Sequence, residues 1–107
     1  MTDRRQLPRL LRFGTFELDL LSNELRKAGA LVRLQSQQFQ LLVYLAERAG
    51  QVVTREEIRQ KLWDDQTFVD FDRSINFCVN QIRAALDDDP QNPRYVETMP
   101  RKGLKHI

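Results

Sequence analysis

The sequence predicts an α+β domain with an N-terminal antiparallel sheet, a helical middle and a C-terminal β-hairpin. Three observations carry that prediction. Apolar and polar residues alternate between Arg12 and Leu20, the period of a strand with one covered face. From Ser36 to Leu86 the apolar spacing lengthens to three and four residues, as in helices packed on one side. At the end, RYVETM and LKHI flank the basic turn Pro100-Arg101-Lys102-Gly103, which reads as a hairpin with a charged tip.

A chain of 107 residues makes one domain with a modest core. Residues 1–11, opening on the polar MTDRRQLPR, are expected to form a flexible tail and 12–107 the domain. The composition, 41% hydrophobic and 30% charged, is that of a globular protein. A net charge of +2 does not by itself require a polyanionic partner. The distribution says more. Arg4, Arg5, Arg9 and Arg12 crowd the start and Arg101, Lys102 and Lys105 the end, whereas Asp64, Asp65, Asp70, Asp72 and Asp87 to Asp89 hold the acids. Such segregation predicts separate basic and acidic surfaces. The single cysteine, Cys78, excludes an internal disulfide and offers no metal-ligand spacing, so no cofactor or metal is expected. No apolar run is long enough to span a bilayer. The expected location is therefore cytoplasmic, without membrane contact in this chain, any anchor belonging to a longer protein.

Taken in order, Arg12 to Leu20 reads as a first strand, Glu24 to Ala28 as a second and Leu31 to Leu34 as a third, joined by turns at Ser22-Asn23 and Gly29-Ala30. A first helix is expected from Ser36 to Ala49, with Gly50 as its C-cap glycine. Gln51 to Val53 reads as an extended link. Thr54 and Glu57 then have the spacing of a capping box, opening a helix that runs to about Trp63 and buries Ile58, Leu62 and Trp63. Asp64 to Phe71 is expected to be a structured loop, with Phe68 and Phe71 packing near Trp63. Asp72 is expected to cap the next helix.

That helix, DRSINFCVNQIRAAL, has two unlike faces. Ile75, Val79, Ile82 and Leu86 form an apolar stripe, while Arg73, Ser74, Asn76, Asn80, Gln81 and Arg83 lie elsewhere with almost no carboxylate among them. Arg, Asn and Gln carry the forked donors and acceptors that match base edges and phosphates. Standing alone, the segment would fit an amide-rich solvent face equally well. Its context decides: two helices joined by a loop, the second exposing Arg and Asn, and then a basic hairpin. That order is a winged helix-turn-helix, with the helix suited to the major groove and the hairpin to the backbone or minor groove of double-stranded DNA.

The motifs RFGTFELD, QQFQLLVYLAERAGQVVTREEIRQKLW and VDFDRSINFCVNQIRAALDDDPQNPRYVETMPRKG, in that order, resemble the DNA-binding domain of OmpR/PhoB-type bacterial transcription regulators, within that class the CadC/ToxR-like members. The resemblance covers nearly the whole chain. It implies a four-stranded N-terminal sheet, three helices and a C-terminal wing. It implies DNA contacts by Arg73, Ser74, Asn76, Asn80, Gln81 and Arg83, by Arg101 and Lys102 at the wing tip, and by Lys105 on the last strand. It also implies that Asp64, Asp65, Gln66 and Thr67 occupy a loop that contacts RNA polymerase in relatives, and that the domain is monomeric when free and pairs head to tail on DNA. Several positions depart from the family pattern. Gln35 stands where a capping Thr is usual and Gln38 where Glu is usual, so a less sharp start to the first helix is expected. Asp87 replaces a common Gly, which requires a left-handed Asp or a different cap. Leu104-Lys105-His106 replaces Tyr-Arg-Phe, so Lys105 keeps the charge but loses the fork.

Other functions have less in their favour. Cys78 and His106 lack anything that would orient them as nucleophile and base, so no enzyme is expected, and His106 reads as a partly exposed strand end. The alternative is a winged-helix protein-interaction module without DNA binding. Salt dependence separates the two, with a log-log slope of roughly −4 to −7 expected for a DNA binder.

Overall fold

The segment from Arg12 to Leu20 is two strands and not one. Gly14, at φ +57°, turns the chain between β1 (Leu10–Phe13) and β2 (Phe16–Asp19), pairing Phe13 with Phe16. Leu10 and Leu11, assigned above to the tail, are therefore strand residues. β3 (Glu24–Lys27) and β4 (Ala30–Val32) complete an antiparallel sheet of order β1-β2-β3-β4. The computed structural model describes residues 10–63 and 71–107.

The helices follow the predicted periods with trimmed ends. α1 spans Ser36–Ala46, three residues shorter than expected, and α2 spans Arg55–Leu62. Gly50 comes four residues after α1, where its N–H donates to His106 O at 2.7 Å. Gln38 performs the task usual for Glu: its Oε1 accepts the Gln35 N–H at 3.1 Å, tying down the start of α1. The box at Thr54 is only half made. Thr54 Oγ1 accepts the Glu57 N–H at 3.1 Å, but the Glu57 carboxylate turns away to accept the Tyr44 hydroxyl and to face Arg48 Nε at 3.8 Å. Arg48 lies over the Tyr44 ring at 3.6 Å, so this trio joins α1 to α2.

α3 spans Phe71–Leu86. Asp72 lies in its first turn and does not cap it, because the helix already includes Phe71, two residues before the expected first position. Phe71 packs edge-on against Trp63, centroids 5.7 Å apart; Phe68 and the loop residues Asp64 to Thr67 lie outside the described residues. Asp87 takes the left-handed conformation at φ +53°. The N–H of Asp88 reaches Arg83 O at 2.9 Å and that of Asp87 reaches Ala84 O at 3.3 Å, the two bonds of a Schellman ending.

The hairpin of β6 (Val96–Met99) and β7 (Gly103–His106) gains a third strand that the sequence reading treated as a link: β5 (Val52–Val53) pairs antiparallel with β7. One apolar cluster joins all layers, from Phe16, Leu18 and Leu25 of the first sheet through Leu41, Leu42, Leu45 and Ile58 to Ile75, Ile82, Leu86, Val96 and Leu104. His106 is in this interior, 2% exposed, and is not the partly exposed residue expected. Its ring meets Phe13 edge-on with centroids 4.6 Å apart. Tyr95 packs on Phe13 and Phe16, so aromatic rings fasten the first sheet to the base of the wing.

Candidate nucleic-acid interface

An α-helix half buried against a core must expose the residues that alternate with its apolar stripe. In α3 the core side is Ile75, Cys78, Val79, Ile82 and Leu86. Arg73, Asn76, Phe77, Asn80, Gln81 and Ala84 are exposed, at steps of three and four residues that place them in one continuous stripe. Ser74 is half buried at its flank. Five of the six predicted helix residues thus belong to, or border, a single surface.

Arg83 does not. It is 8% exposed, and its Nη2 donates to Val96 O at 3.1 Å and to Thr98 Oγ1 at 2.9 Å. Burial lowers its pKa, opposed by the nearby Asp88 carboxylate. Its position follows from the helical period: Arg83 is four residues after Val79 and three before Leu86, on the edge of the buried side. Arg83 is a strut between α3 and the wing, its Nη2 turned to the wing strand and away from the exposed stripe.

Asp88 completes the attachment. Its Oδ1 accepts the Arg94 N–H at 2.8 Å, and its Oδ2 accepts those of Tyr95 at 3.1 Å and Val96 at 3.0 Å. Burial pulls this carboxyl's pKa up, but these three amides, with a smaller contribution from that of Asp89, outweigh it and leave the pKa below the ordinary value. The carboxylate therefore fixes where β6 begins relative to the end of α3.

At the wing tip Arg101 and Lys102 are exposed, and Arg101 has φ +65°. Gly103 is confined by close approach: a Cβ there would lie 1.9 Å from Val53 O. Lys105 faces its cross-strand neighbour Glu97, Nζ to Oε1 3.8 Å, so its charge is partly answered within the wing.

Two residues of the interface escaped the sequence reading. Phe77 is 57% exposed at the middle of the stripe; its spacing of four from both Arg73 and Gln81 was a signal, overlooked because the residue is apolar. Arg55, the first residue of α2, reaches α3: Nη1 lies 3.5 Å from Asp72 Oδ1 and Nη2 lies 3.3 Å from Asn76 Oδ1. No group of three or more His, Cys, Asp or Glu among the described residues is arranged to hold a metal ion, and none of the described helices is long and apolar enough to cross a membrane. Cys78 is buried, and burial pushes its thiol up to about 12, which leaves it inert as a nucleophile.

This architecture and sequence match known proteins. Residues 29–105 match the family described as "Transcriptional regulatory protein, C terminal". The cholera toxin homolog transcriptional activator of Vibrio parahaemolyticus is 34% identical over 95 residues, covering 86% of this chain and 32% of that protein. The chain thus spans about a third of that relative's length. Among solved structures, response regulator DrrB of Thermotoga maritima, an OmpR/PhoB homolog, superposes with a TM-score of 0.81 at 34% identity, over 92% of this chain and 44% of that one. The DNA-binding domain of Klebsiella pneumoniae RstA, in complex with the RstA box, gives 0.80 at 26% identity over 92% and 97%. The DNA-binding domain of E. coli CadC gives 0.76 at 26% over 95% and 94%. The chain belongs to the C-terminal family of transcriptional regulatory proteins and is a DNA-binding effector domain of the OmpR/PhoB winged-helix type.

Proposed function

We propose that this domain binds specific duplex sites with α3 in the major groove and the tip of the β6–β7 wing on the backbone or in the minor groove. The carrying observation is the exposed stripe Arg73, Asn76, Phe77, Asn80, Gln81 and Ala84, which carries no carboxylate for about three turns after Asp72 at the start of the helix. Asn80 and Gln81 have the chemistry for base edges, Phe77 for a thymine methyl, and Arg73, Arg101 and Lys102 for phosphates. The complex of the RstA domain with its box supports duplex DNA as the ligand. With Arg83 internal and Lys105 facing Glu97, fewer cations remain for phosphates than the sequence suggested. The expected log-log salt slope becomes about −3 to −5.

Titrations against selected and random duplexes at several salt concentrations test the assignment. Asn80→Ala or Gln81→Ala should cost about 1–3 kcal/mol on the selected site and little on random duplex. Arg101→Ala with Lys102→Ala should weaken both alike and flatten the slope by up to about two units. A salt-independent response, or no binding to any duplex at low salt, would favour the protein-interaction module instead.

Two finer features accompany this reading. The loop containing Asp64, Asp65, Gln66 and Thr67 contacts RNA polymerase, and replacing Asp65 and Gln66 with Ala should lower transcription activation without changing operator affinity. The domain is a monomer in solution and pairs head to tail on direct repeats; a stable dimer in sedimentation without DNA would refute that. Any membrane anchoring of a full-length protein would be supplied by segments other than these helices.

A further inference from the structure

We propose that Arg55 is a positioning residue for base readout, which orients Asn76 so that the pair presents hydrogen-bond donors only and selects guanine over adenine. The inference rests on α3 lying in the major groove. Arg55 Nη2 is 3.3 Å from Asn76 Oδ1, and its Nη1 is 3.5 Å from Asp72 Oδ1, one helical turn earlier on α3. A guanidinium has five donors and no acceptor. The carbonyl oxygen of Asn76 must therefore face Arg55, and the amide nitrogen with its two N–H groups must face the other way. Asp72 holds the guanidinium from its second arm, so an amide turned over would set its N–H groups against a fixed donor.

That orientation matters because asparagine ordinarily reads adenine with both ends of its amide. The oxygen accepts from the N6 amino group and the nitrogen donates to N7. Here the oxygen is already engaged, and a cationic donor occupies the space beside it, where an adenine amino group would meet another donor. Guanine offers O6 and N7, two acceptors on the same edge, and satisfies the outward N–H groups of Asn76 together with the guanidinium beside them. A residue outside the recognition helix would thus set which base that helix accepts.

Selection from random duplex oligonucleotides, with wild type, Asn76→Ala, Arg55→Ala and Asn76→Asp, tests this. The position whose preference Asn76→Ala relaxes identifies the base facing Asn76. Wild type should enrich guanine there. Arg55→Ala should shift the guanine-to-adenine ratio at that position toward adenine by about five- to tenfold, with the other positions unchanged. Asn76→Asp keeps a partner for Arg55 but removes the outward donors, so guanine preference at that position should vanish; it carries the test if Arg55→Ala does not fold. Adenine at that position in the wild-type site, or uniform weakening by Arg55→Ala with no change there, would overturn the proposal, as would an Asn76→Ala selection identical to wild type. Failure of wild type to enrich any sequence would instead sink the major-groove reading on which the proposal stands.

Discussion

Asp88→Ala removes the acceptor of three backbone amides at once. The Val96 N–H is buried, and stranding it should cost about 1–3 kcal/mol. Those of Arg94 and Tyr95 are only partly buried, so water can replace the carboxylate and each loss is smaller, about 0.5–1 kcal/mol. The expected total is about 3 kcal/mol, a fall in Tm on the order of 10–18 °C for a domain this size. Asp88→Asn should cost about half as much, because its one oxygen can still serve two amides while its nitrogen faces the third. The pH dependence has a defined sign. The folded-state pKa of Asp88 lies below its ordinary 3.8, so its contribution is present above that value and disappears as pH falls through the lower folded pKa. Urea denaturation of wild type and both variants at pH 7 and at pH 3 and below measures all of this. A loss under about 1 kcal/mol for Asp88→Ala at pH 7 would refute the argument, as would a wild-type advantage that persists undiminished at the lowest pH.

Other substitutions probe separate features. Burial holds the His106 pKa below 6.5 and so favours the neutral ring, outweighing the bond from its Nδ1 to the Ile107 carbonyl at 3.0 Å and the charge of Asp88, both of which favour the protonated one. Wild type should lose stability below about pH 6.5, by at most about 1.4 kcal/mol per pH unit; His106→Phe should flatten that slope in denaturant titrations, and an unchanged slope would place the dependence elsewhere. Gly103→Ala drives a Cβ into Val53 O and should cost about 3 kcal/mol or more by thermal melting, whereas wild-type stability would mean that β5 and β7 separate freely. Ala28, at φ +49° beside Gly29 at φ +86°, sits in a two-residue hairpin turn that favours Asn-Gly. Ala28→Asn should therefore raise stability by about 0.5–1 kcal/mol, and a lower Tm would refute that.

The helices were legible because their periods are long enough to repeat. Ile75, Val79, Ile82 and Leu86 gave the buried side of α3, and all four are in the core. The break at Gly14 was not legible, because Phe13 and Phe16 keep an apolar appearance on both sides of a two-residue turn. β5 is two residues long, too short for any alternation to register, and its pairing is a long-range choice. The partners of Arg83 and Glu57 were not legible, because they lie on other elements. Spacing gives Arg83 a place on the helix surface and Glu57 a place in a capping box, while the structure pairs the first with Val96 and Thr98 and the second with Tyr44 and Arg48. His106 had a signal in its spacing of two from Leu104, both of them buried in β7, but an imidazole disguises it. The wing tip was readable at once, since Pro, Arg, Lys and Gly in succession permit little except an exposed turn.

The Arg83 strut has a consequence for how two weak grips become one strong one. A helix and a hairpin that each touch DNA act as a bivalent ligand, and the gain from joining them depends on the stiffness and length of what joins them. Here the joint is a guanidinium bonded to Val96 O and Thr98 Oγ1, so once α3 is seated the wing is presented at a fixed distance and pays little orientational entropy to engage. Loosening that joint would leave the side chains proposed to meet DNA in place and still lower affinity, through effective concentration alone. Variants of a buried arginine could thus resemble loss of a DNA contact while touching none.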